Sequence, residues 1–542
     1  MATASSPNSV GRIAPTNVRL RLSEKMVRLI DRLRQPEWRK YGIALFAGKG
    51  LGILLVLTVM VCYAGLLGGS ARADDPVIKA NDIVNPLNTF WVLLAAFLVF
   101  GMQVGFTMLE AGFCRSRETV NVLMECVVDT CLCGLLFWAW GFAFMFGHGN
   151  GWIGWGDGKG LNWFFLENIP DTYEGYGVAT IAYWLFQFAF ADTCSTITSG
   201  AMIGRTGWIG DLLYSFCVSG FIYPIIGHWA WGPDGFLLTF LGGFHDFAGS
   251  SVVHTMGGMI ALAGSIALGP RLGRVFKRDG GGPMLPHDLV IATSGGLILW
   301  FGWYGFNPGS TLSAMDMQGC GRVATNTTLA ACAAGLSAMF YGYPQTKKWD
   351  VGFTVNGFLA GLVAITCPCY WVNPLGAVII GAIAGVVVIM GINFMEWLRI
   401  DDPIGAVPVH GICGMWGTWS LGLFACGKYY APGTTGATPL DKDHAALTGL
   451  FYGGGTQLLI AQIAGNLIIA AGAFFSALAV MYIVKSMGFL RVSRAGELEG
   501  LDLHEHGIPA YPEYELIPSA TPQGATGAAI SSEASKSPAT RH

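Results

Sequence analysis

The sequence predicts an all-α polytopic membrane protein, and three observations support this fold class. The 542 residues are 53% hydrophobic and only 12% charged, about half the charged share of a soluble domain. Apolar runs recur from end to end, and most are long enough for a helix to cross a hydrocarbon core of about 30 Å. The short alternating strands typical of a membrane barrel are not seen in the sequence.

The first element is an N-terminal extension, residues 1–73. A polar region rich in Arg and Lys precedes an apolar run at 51–67, and Ala71 and Ala73 stand just before Asp74. This order resembles a signal peptide. An uncleaved first hydrophobic helix explains the same pattern, and both interpretations stay open. Either one places Asp74 outside the cytoplasm.

The second element is a membrane domain, residues 74–487, with eleven predicted transmembrane helices after the N-terminal hydrophobic segment. The last apolar segment is long enough to tilt or to extend beyond the bilayer. The predicted segments are 88–112, 119–147, 176–203, 208–231, 248–269, 287–306, 323–344, 352–371, 374–397, 405–426 and 447–485.

Charge in the connecting loops predicts the orientation. If residue 74 lies outside, thirteen Lys and Arg fall in cytoplasmic loops and four in outer loops, as the positive-inside rule requires. We therefore expect a multi-pass protein of the cell (inner) membrane, with the N-terminus of the mature chain outside and the C-terminus in the cytoplasm. The cytoplasmic set is Arg115, Arg117, Arg205, Arg271, Arg274, Lys277, Arg278, Lys347, Lys348, Arg399, Lys485, Arg491 and Arg494, and the outer set is Lys159, Arg322, Lys428 and Lys442.

The third element is a cytoplasmic C-terminal tail, residues 488–542. From about residue 515 it consists of Ser, Ala, Thr, Pro and Gly with few large apolar residues. Such a composition cannot bury enough apolar surface to fold, so this part is expected to be disordered.

Two histidines stand in matched surroundings. DFAGSSVVHTMGG contains Asp246 and His254, and DDPIGAVPVHGICG contains Asp402 and His410, with the Asp eight residues before the His in each. The fifth and tenth helices run in opposite directions, and a rise of 1.5 Å per residue puts each histidine about 12 Å from its own surface, near the midplane. The pattern predicts two inverted five-helix repeats plus a long eleventh helix, a plan with its functional site between the halves.

The polar residues within the apolar segments also have structural interpretations. A lone membrane histidine often bridges two helices by a hydrogen bond, whereas intramembrane ionisable groups usually line a path. No third ligand at metal spacing accompanies the histidines, so no metal or cofactor is expected. Glu110 is expected to be solvated near a helix end, and Asp129 and Asp192 to bridge helices.

Composition limits the remaining classes of function. The net charge of -3 argues against nucleic-acid binding. Most of the 13 cysteines lie within apolar runs, where they are expected to pack as small hydrophobic side chains.

Four motifs together resemble the ammonium transporter (Amt/Rh) family, on its bacterial ammonium-transporter side. They are DFAGSSVVH, GWYGFNPGS, DDPIGAVPVHGICG and EGLDLHEHGIPAY. The resemblance implies a homotrimer in membrane lipid with one narrow pore per subunit. It implies that His254 and His410 are the pore's twin histidines and that Trp231 and Ser310 recruit ammonium at an outer vestibule. It also implies that Asp246 supports that vestibule without touching the ion.

The resemblance also implies a gate of two stacked phenylalanines. Phe306 matches the inner one. The outer one falls in FAFADTCSTITSG, where the best match is Cys194, and Phe190 lies one turn earlier. The outer gate is therefore either thinner here or rebuilt from another aromatic residue.

The predicted function is transport of ammonium and ammonia through a hydrophobic pore, with no enzymatic activity. Alternatives are an ammonium sensor that scarcely conducts, a membrane metalloenzyme using the paired histidines, and a Rh-type gas channel. The resemblance implies a cytoplasmic nitrogen-regulatory P-II protein as a further partner.

Overall fold

A computed structural model describes residues 80–173, 175–427 and 447–512. The signal-peptide-like extension and the tail beyond residue 512 lie outside the described residues, so those two predictions are not tested. The described chain is almost entirely helical, and the only strands within it form two short hairpins between α2 and α3.

The helices of the first half are named in chain order. They are α1 (Ala80–Phe100 and Met102–Phe113), α2 (Thr119–Leu136, a π-helical Phe137–Gly141, and Phe142–Phe146), α3 (Thr180–Gly200), α4 (Trp208–Cys217, a π-helical Val218–Ile222, and Tyr223–Trp231) and α5 (a π-helical Ser250–Thr255 and Met256–Leu268).

The helices of the second half follow the same plan. They are α6 (Leu289–Phe306, then a 3-10 turn Pro308–Thr311), α7 (Met317–Thr346), α8 (Val351–Thr366), α9 (Pro374–Leu398), α10 (a π-helical Val407–Ile412 and Cys413–Phe424), α11 (Gln457–Ser486), and the two short tail helices α12 (Arg494–Glu499) and α13 (Leu501–His506).

Length and composition make this a membrane bundle. Within the described residues, eight helical segments are long and apolar enough to cross a membrane, and α8 is a shorter apolar helix. Large apolar side chains such as Phe90, Phe97 and Leu135 are exposed on the surface of the bundle, where lipid would cover them. The count of eleven transmembrane helices stays a prediction.

Polar caps and small residues explain the local structure of the second half. Asp288, Asp316, Asp350 and Asn373 accept hydrogen bonds from the first amides of α6, α7, α8 and α9, which satisfies groups that a helix leaves unpaired. Small residues bring α7 and α9 together. A Cβ on Gly381 of α9 would lie 2.2 Å from the Ala330 carbonyl oxygen, a close approach typical of membrane helix pairs.

The packing repeats between the two halves. α5 packs on α3 and α4, and α10 packs on the corresponding pair, α8 and α9. The loop region between α2 and α3, residues 148–179, carries two hairpins. They are β1 (His148–Gly149) with β2 (Gly154–Gly156) and β3 (Thr172–Tyr173) with β4 (Val178–Ala179). This end of the bundle is called the cavity end below.

The opposite end, called the tail end, carries the C-terminal segment. Asp502 accepts a hydrogen bond of 3.0 Å from the backbone amide of Asn121 at the start of α2. Arg117 donates to the carbonyl of Leu498 at 2.9 Å, and the Nε2 atom of His287 lies 2.9 Å from the hydroxyl of Tyr511. The segment up to Tyr511 is thus docked on the bundle.

Candidate functional site

A cavity of about 390 Å³ opens at the cavity end and is lined mainly by aromatic side chains. Four of the residues that the sequence predicts for a vestibule and gate line it: Phe190, Trp231, Asp246 and Ser310. The Ser310 hydroxyl donates to the carbonyl of Phe306 at 2.8 Å, so its oxygen lone pairs stay available to accept a further hydrogen bond. The other aromatic lining residues include Trp163, Tyr173, Tyr176, Tyr183, Tyr370 and Trp371.

Two phenylalanines close the floor of this cavity. Phe190 of α3 and Phe306 of α6 stack with ring centroids 4.0 Å apart and planes 19° apart, and both are almost completely buried. Cys194 is also buried, but its carbonyl faces Gly257 of α5. Of the two candidates on α3, it is therefore Phe190 that stacks on Phe306.

The two histidines meet directly behind this stack. The Nδ1 atoms of His254 and His410 lie 3.2 Å apart, and their rings are 5.2 Å apart with planes 25° apart. His254 is fully buried and His410 is 7% exposed. The His254 ring also stacks on Phe306 at 5.4 Å. Phe190, Phe306, His254 and His410 thus form one continuous file from the cavity floor into the bundle.

Each histidine is positioned by the aspartate that precedes it. The Asp246 carboxylate accepts hydrogen bonds of 2.8–3.0 Å from the amides of Gly249, Ser251 and Val252. Asp402 does the same for Gly405, Ala406 and Val407, at 2.8–3.0 Å. A carboxylate at the start of a helix satisfies unpaired amides and the helix dipole. The eight-residue spacing therefore places a cap at the start of each histidine-bearing helix.

The two histidine-bearing helices, α5 and α10, cross at glycines that lie close to the histidines in the sequence. A Cβ on Gly258 would lie 2.2 Å from the amide nitrogen of Gly411, which no side chain tolerates. Each histidine lies in a π-helical turn, Ser250–Thr255 or Val407–Ile412. π-Helical turns occur often at functional sites.

Sequence reasoning did not identify two features of the site. Trp303 also stacks on the His254 ring, with ring centroids 5.2 Å apart, and donates its indole N–H to Thr366 at 2.9 Å. It lies three residues before Phe306, on the same helix face, and this spacing was the available signal. Trp231 donates its indole N–H to the carbonyl of Asp246 at 2.8 Å. This bond joins the predicted recruitment residue to the cap of α5.

The remaining predicted polar residues lie away from this file. Asp129 and Asp192 are buried, and Ser195 donates to Asp129 across the α2–α3 contact at 3.2 Å. Glu110 was expected to be solvated, and this was wrong, because it is only 1% exposed. In the described residues, no group of three or more His, Cys, Asp or Glu side chains is arranged to hold a metal ion.

Comparison with known proteins identifies the family. The chain is 41% identical to "Ammonium transporter Amt2" of Archaeoglobus fulgidus over 88% of its own length and 99% of that protein. It is 37% identical to "Ammonium transporter 1 member 3" of Solanum lycopersicum, over 79% of this chain and 94% of that one.

Solved structures give the same result. A structure described as "Sensor Amt Protein" matches 78% of this chain and 99% of its own, with 34% identity and a TM-score of 0.69. Candida albicans Mep2 matches 82% and 96%, with 28% identity and a TM-score of 0.69. A model of the Ammonium Transporter Family matches residues 90–511. The chain belongs to this family of membrane transporters, which are not enzymes.

Proposed function

We propose that the protein carries ammonium across the membrane, through a pore that passes from the aromatic cavity, between Phe190 and Phe306, to His254 and His410. The observation that carries the proposal is the contact of the two histidines directly behind the stacked phenylalanines. This place is narrow and buried, and it holds two ionisable side chains in contact.

The cavity suits a small cation. The face of Trp231 attracts a cation with about 0.5–2 kcal/mol, and the Ser310 hydroxyl oxygen accepts a hydrogen bond from it. Asp246 supports this wall by capping α5 and holding Trp231 through its carbonyl, with no need to touch the ion.

The passage beyond the phenylalanines suits a neutral molecule. Transferring a bare cation into such surroundings costs of order 20 kcal/mol by an idealised Born estimate. Ammonium near Phe190 therefore gives up a proton, whose acceptor is the imidazole of His254 behind Phe306. The N–H electron pair stays on the ammonia nitrogen, a new N–H bond forms on the imidazole, and ammonia crosses the apolar passage. The proton follows along His254 and His410, since imidazole both donates and accepts protons near neutral pH.

The assembly and orientation are part of the proposal. The cavity end faces outward and the tail end faces the cytoplasm in the cell (inner) membrane, because Arg205, Arg271 and Arg491 cluster at the tail end. The transporter domain extends over 74–487, preceded by the N-terminal extension and followed by the tail. The protein forms a homotrimer, and a P-II regulatory protein docks at the tail end.

Electrical recording on liposomes containing the purified full-length chain tests the proposal. Ammonium should give a current or an uptake signal, and potassium at the same concentration should give neither. A strong potassium current would overturn the selectivity. A protein that binds ammonium but neither conducts nor takes it up would be the sensor instead.

The histidine variant His254→Asp tests the path. It should change either the conductance or the ion selectivity, because a carboxylate replaces the neutral imidazole beside His410. Unchanged transport of ammonium and methylammonium would rule out the assigned role of the histidine.

A further inference from the structure

Five carboxyl groups lie inside the bundle beside the pore, and the transport path described above does not use them. They come from four helices: α1, α2, α3 and α4. All are 2% exposed or less. The group is called the acid cluster and consists of Glu110, Glu125, Asp129, Asp192 and Asp211.

The carboxyl groups are close enough to interact electrostatically with one another. Asp129 is the common neighbour, because Glu110, Asp192 and Asp211 all lie within its electrostatic reach. Glu125 lies one helical turn from Asp129 on the same face of α2 and also feels Glu110. Ionisation of several members at once would therefore add mutual repulsion to the cost of burial.

Among the described residues, no cationic side chain forms an ion pair with the cluster. The ion pairs among the described residues involve none of its members. Both oxygens of Asp192 and one oxygen of each other member make no hydrogen bond of normal geometry, although the Thr130 hydroxyl lies near Asp192. A buried carboxylate without a partner costs several kcal/mol, and a bound proton removes that cost.

A neighbouring hydroxyl points to a ligand. Ser215 of α4 is completely buried and faces Asp129, yet its Oγ atom makes no hydrogen bond of normal geometry. A protonated carboxyl or a water molecule between the two groups would satisfy both. The other titratable groups of the described residues that face the cluster are not basic: Cys114, Glu118, Cys126, Cys133 and Tyr214.

Contacts connect the cluster to the tail end of the bundle and to the start of α10. Glu125 accepts a hydrogen bond of 2.7 Å from Asn121, whose side-chain oxygen lies 3.0 Å from Nε2 of the half-buried tail residue His506. At the other side, a Cβ on Gly200 would lie 3.5 Å from Oε1 of Glu110 and 2.5 Å from Cδ1 of Ile404. Ile404 immediately precedes the turn that leads into α10 and His410, so one layer of residues separates the cluster from this helix.

We propose that the acid cluster is a proton-binding site within the membrane domain, which takes up and releases protons at the tail end through the neighbourhood of Asn121 and His506. Each uptake converts one carboxylate into a carboxylic acid and forms one O–H bond. The chemistry favours protons over a metal ion, because no described group of side chains is arranged as a metal site. Insofar as the proposal concerns transport, it rests on the proposed function: the proton that ammonium releases passes along His254 and His410 first, and the cluster then receives it from the α10 side, across the layer formed by Ile404.

Infrared difference spectroscopy on the full-length chain in lipid, between about pH 5 and 8, tests the site directly. Exposed carboxyls are already ionised throughout most of this range, so a carboxylic C=O band that grows on acidification reports buried acids. The band should lose amplitude in Asp129→Asn and in Asp192→Asn. It should be unchanged in Glu167→Gln, which alters an exposed carboxyl of the cavity-end loop.

Ser195→Ala is the variant that keeps every charge. It removes the hydrogen bond to Asp129, and the C=O band should shift in frequency while a monodisperse protein is retained. A band of wild-type amplitude in both Asp→Asn variants, or no pH-dependent band in the wild type, overturns the proposal.

The electrical recordings separate this proposal from the proposed function. In Asp129→Asn the pH dependence of the ammonium current should flatten relative to Glu167→Gln. A wild type with a pH-dependent band but no ammonium transport would refute the transport proposal and leave the proton site. A wild type that transports ammonium without such a band would refute the proton site alone.

Discussion

The two histidine-bearing segments, 246–258 and 402–414, have the same local design in different surroundings. Each has an aspartate that caps three amides, a π-helical turn and a histidine eight residues after the aspartate. Around His254 lie aromatic rings, Phe306 and Trp303. Around the start of the second segment lie arginines instead. The same local structure thus lies against aromatic rings in the first segment and against a charged anchor at the start of the second.

The anchor is built on Asp401, the residue before the second cap. Its carboxylate accepts hydrogen bonds of 2.8–2.9 Å from Arg271. Its backbone carbonyl accepts one of 2.6 Å from Arg205. Burial raises the pKa of this carboxyl, but Arg271 and Arg205 outweigh burial and hold the pKa of Asp401 far below its ordinary value. For Asp402, burial outweighs the amides of Val407, Ala406 and Gly405 and raises the pKa to about 6.

The largest expected effect breaks the crossing of the two segments. Gly258→Ala should abolish folded protein, because the added Cβ would lie 2.2 Å from the nitrogen of Gly411. Gly411→Ala should fold, since its Cβ would meet nothing of Gly258 closer than 3.4 Å. Size-exclusion profiles and thermal melts of the purified variants measure this. Equal behaviour of the two variants would contradict the asymmetric crossing.

The next effect separates the two neighbouring aspartates. Asp401→Asn should lower the free energy of unfolding by about 3 kcal/mol at neutral pH, because Arg271 is left buried without its charge partner. Asp402→Asn should cost about 1 kcal/mol or less, the scale of a charged cap. Thermal melts in detergent measure the difference. A larger loss for Asp402→Asn would contradict the assignment of the anchor.

The same pair predicts opposite dependences on pH. A depressed pKa contributes stability above the unfolded value of about 3.9, so the Asp401 contribution is lost as the pH falls below about 4. A raised pKa works the other way, so the Asp402 contribution declines as the pH rises from about 4 to 6. The melting temperature of Asp402→Asn should therefore change less with pH over that interval than the melting temperature of the wild type. An unaltered slope would argue against the burial of this carboxyl.

A third effect compares the histidines. His254→Asn should lower the ammonium current by at least about tenfold, equivalent to about 1.4 kcal/mol in the barrier, because the imidazole that stacks on Trp303 and contacts His410 is lost. His410→Asn should lower it less, since His254 keeps its aromatic contacts behind the gate. Current measurements on matched amounts of protein in liposomes decide the order. A larger defect in His410→Asn would reverse the comparison.

The smallest effect concerns the gate. Phe190→Ala should admit a potassium current by opening the stack on Phe306. Cys194→Ala should stay within about twofold of the wild-type ammonium current, a change well below 1 kcal/mol, because this side chain is not part of the stack. Both variants are compared in one recording series. A potassium leak through Cys194→Ala would restore the cysteine as the gate residue.

Several features could be predicted from the sequence because they rest on a repeated spacing or on residues that mark the start of a helix. The Asp-to-His spacing occurs twice, so the matched depth of His254 and His410 followed from helix rise alone. The bounds of α9, predicted as 374–397, agree with Pro374–Leu398 because Asn373 and Pro374 mark its start. The last segment was predicted from 447, and α11 begins at Gln457, since apolar residues in the preceding loop extend the hydrophobic run.

Other features depend on which side chains the fold brings together. The choice between Phe190 and Cys194 could not be made from spacing, because both lie on one helix and only the position of Phe306 on α6 selects the partner. Glu110 was expected in solvent near a helix end, but the fold leaves it only 1% exposed. Burial of a polar group depends on its neighbours in space, which a single helix does not specify.

By itself, the sequence determined the class of the protein and the two histidine segments with their matched aspartates. Composition and helix periodicity fix these properties locally, since lipid leaves the helix few alternatives. The tertiary structure decided which rings stack, that Gly258 and Gly411 touch, and that five acids from four helices share one interior. Such contacts depend on helix rotation and crossing, which are set by packing between distant parts of the chain.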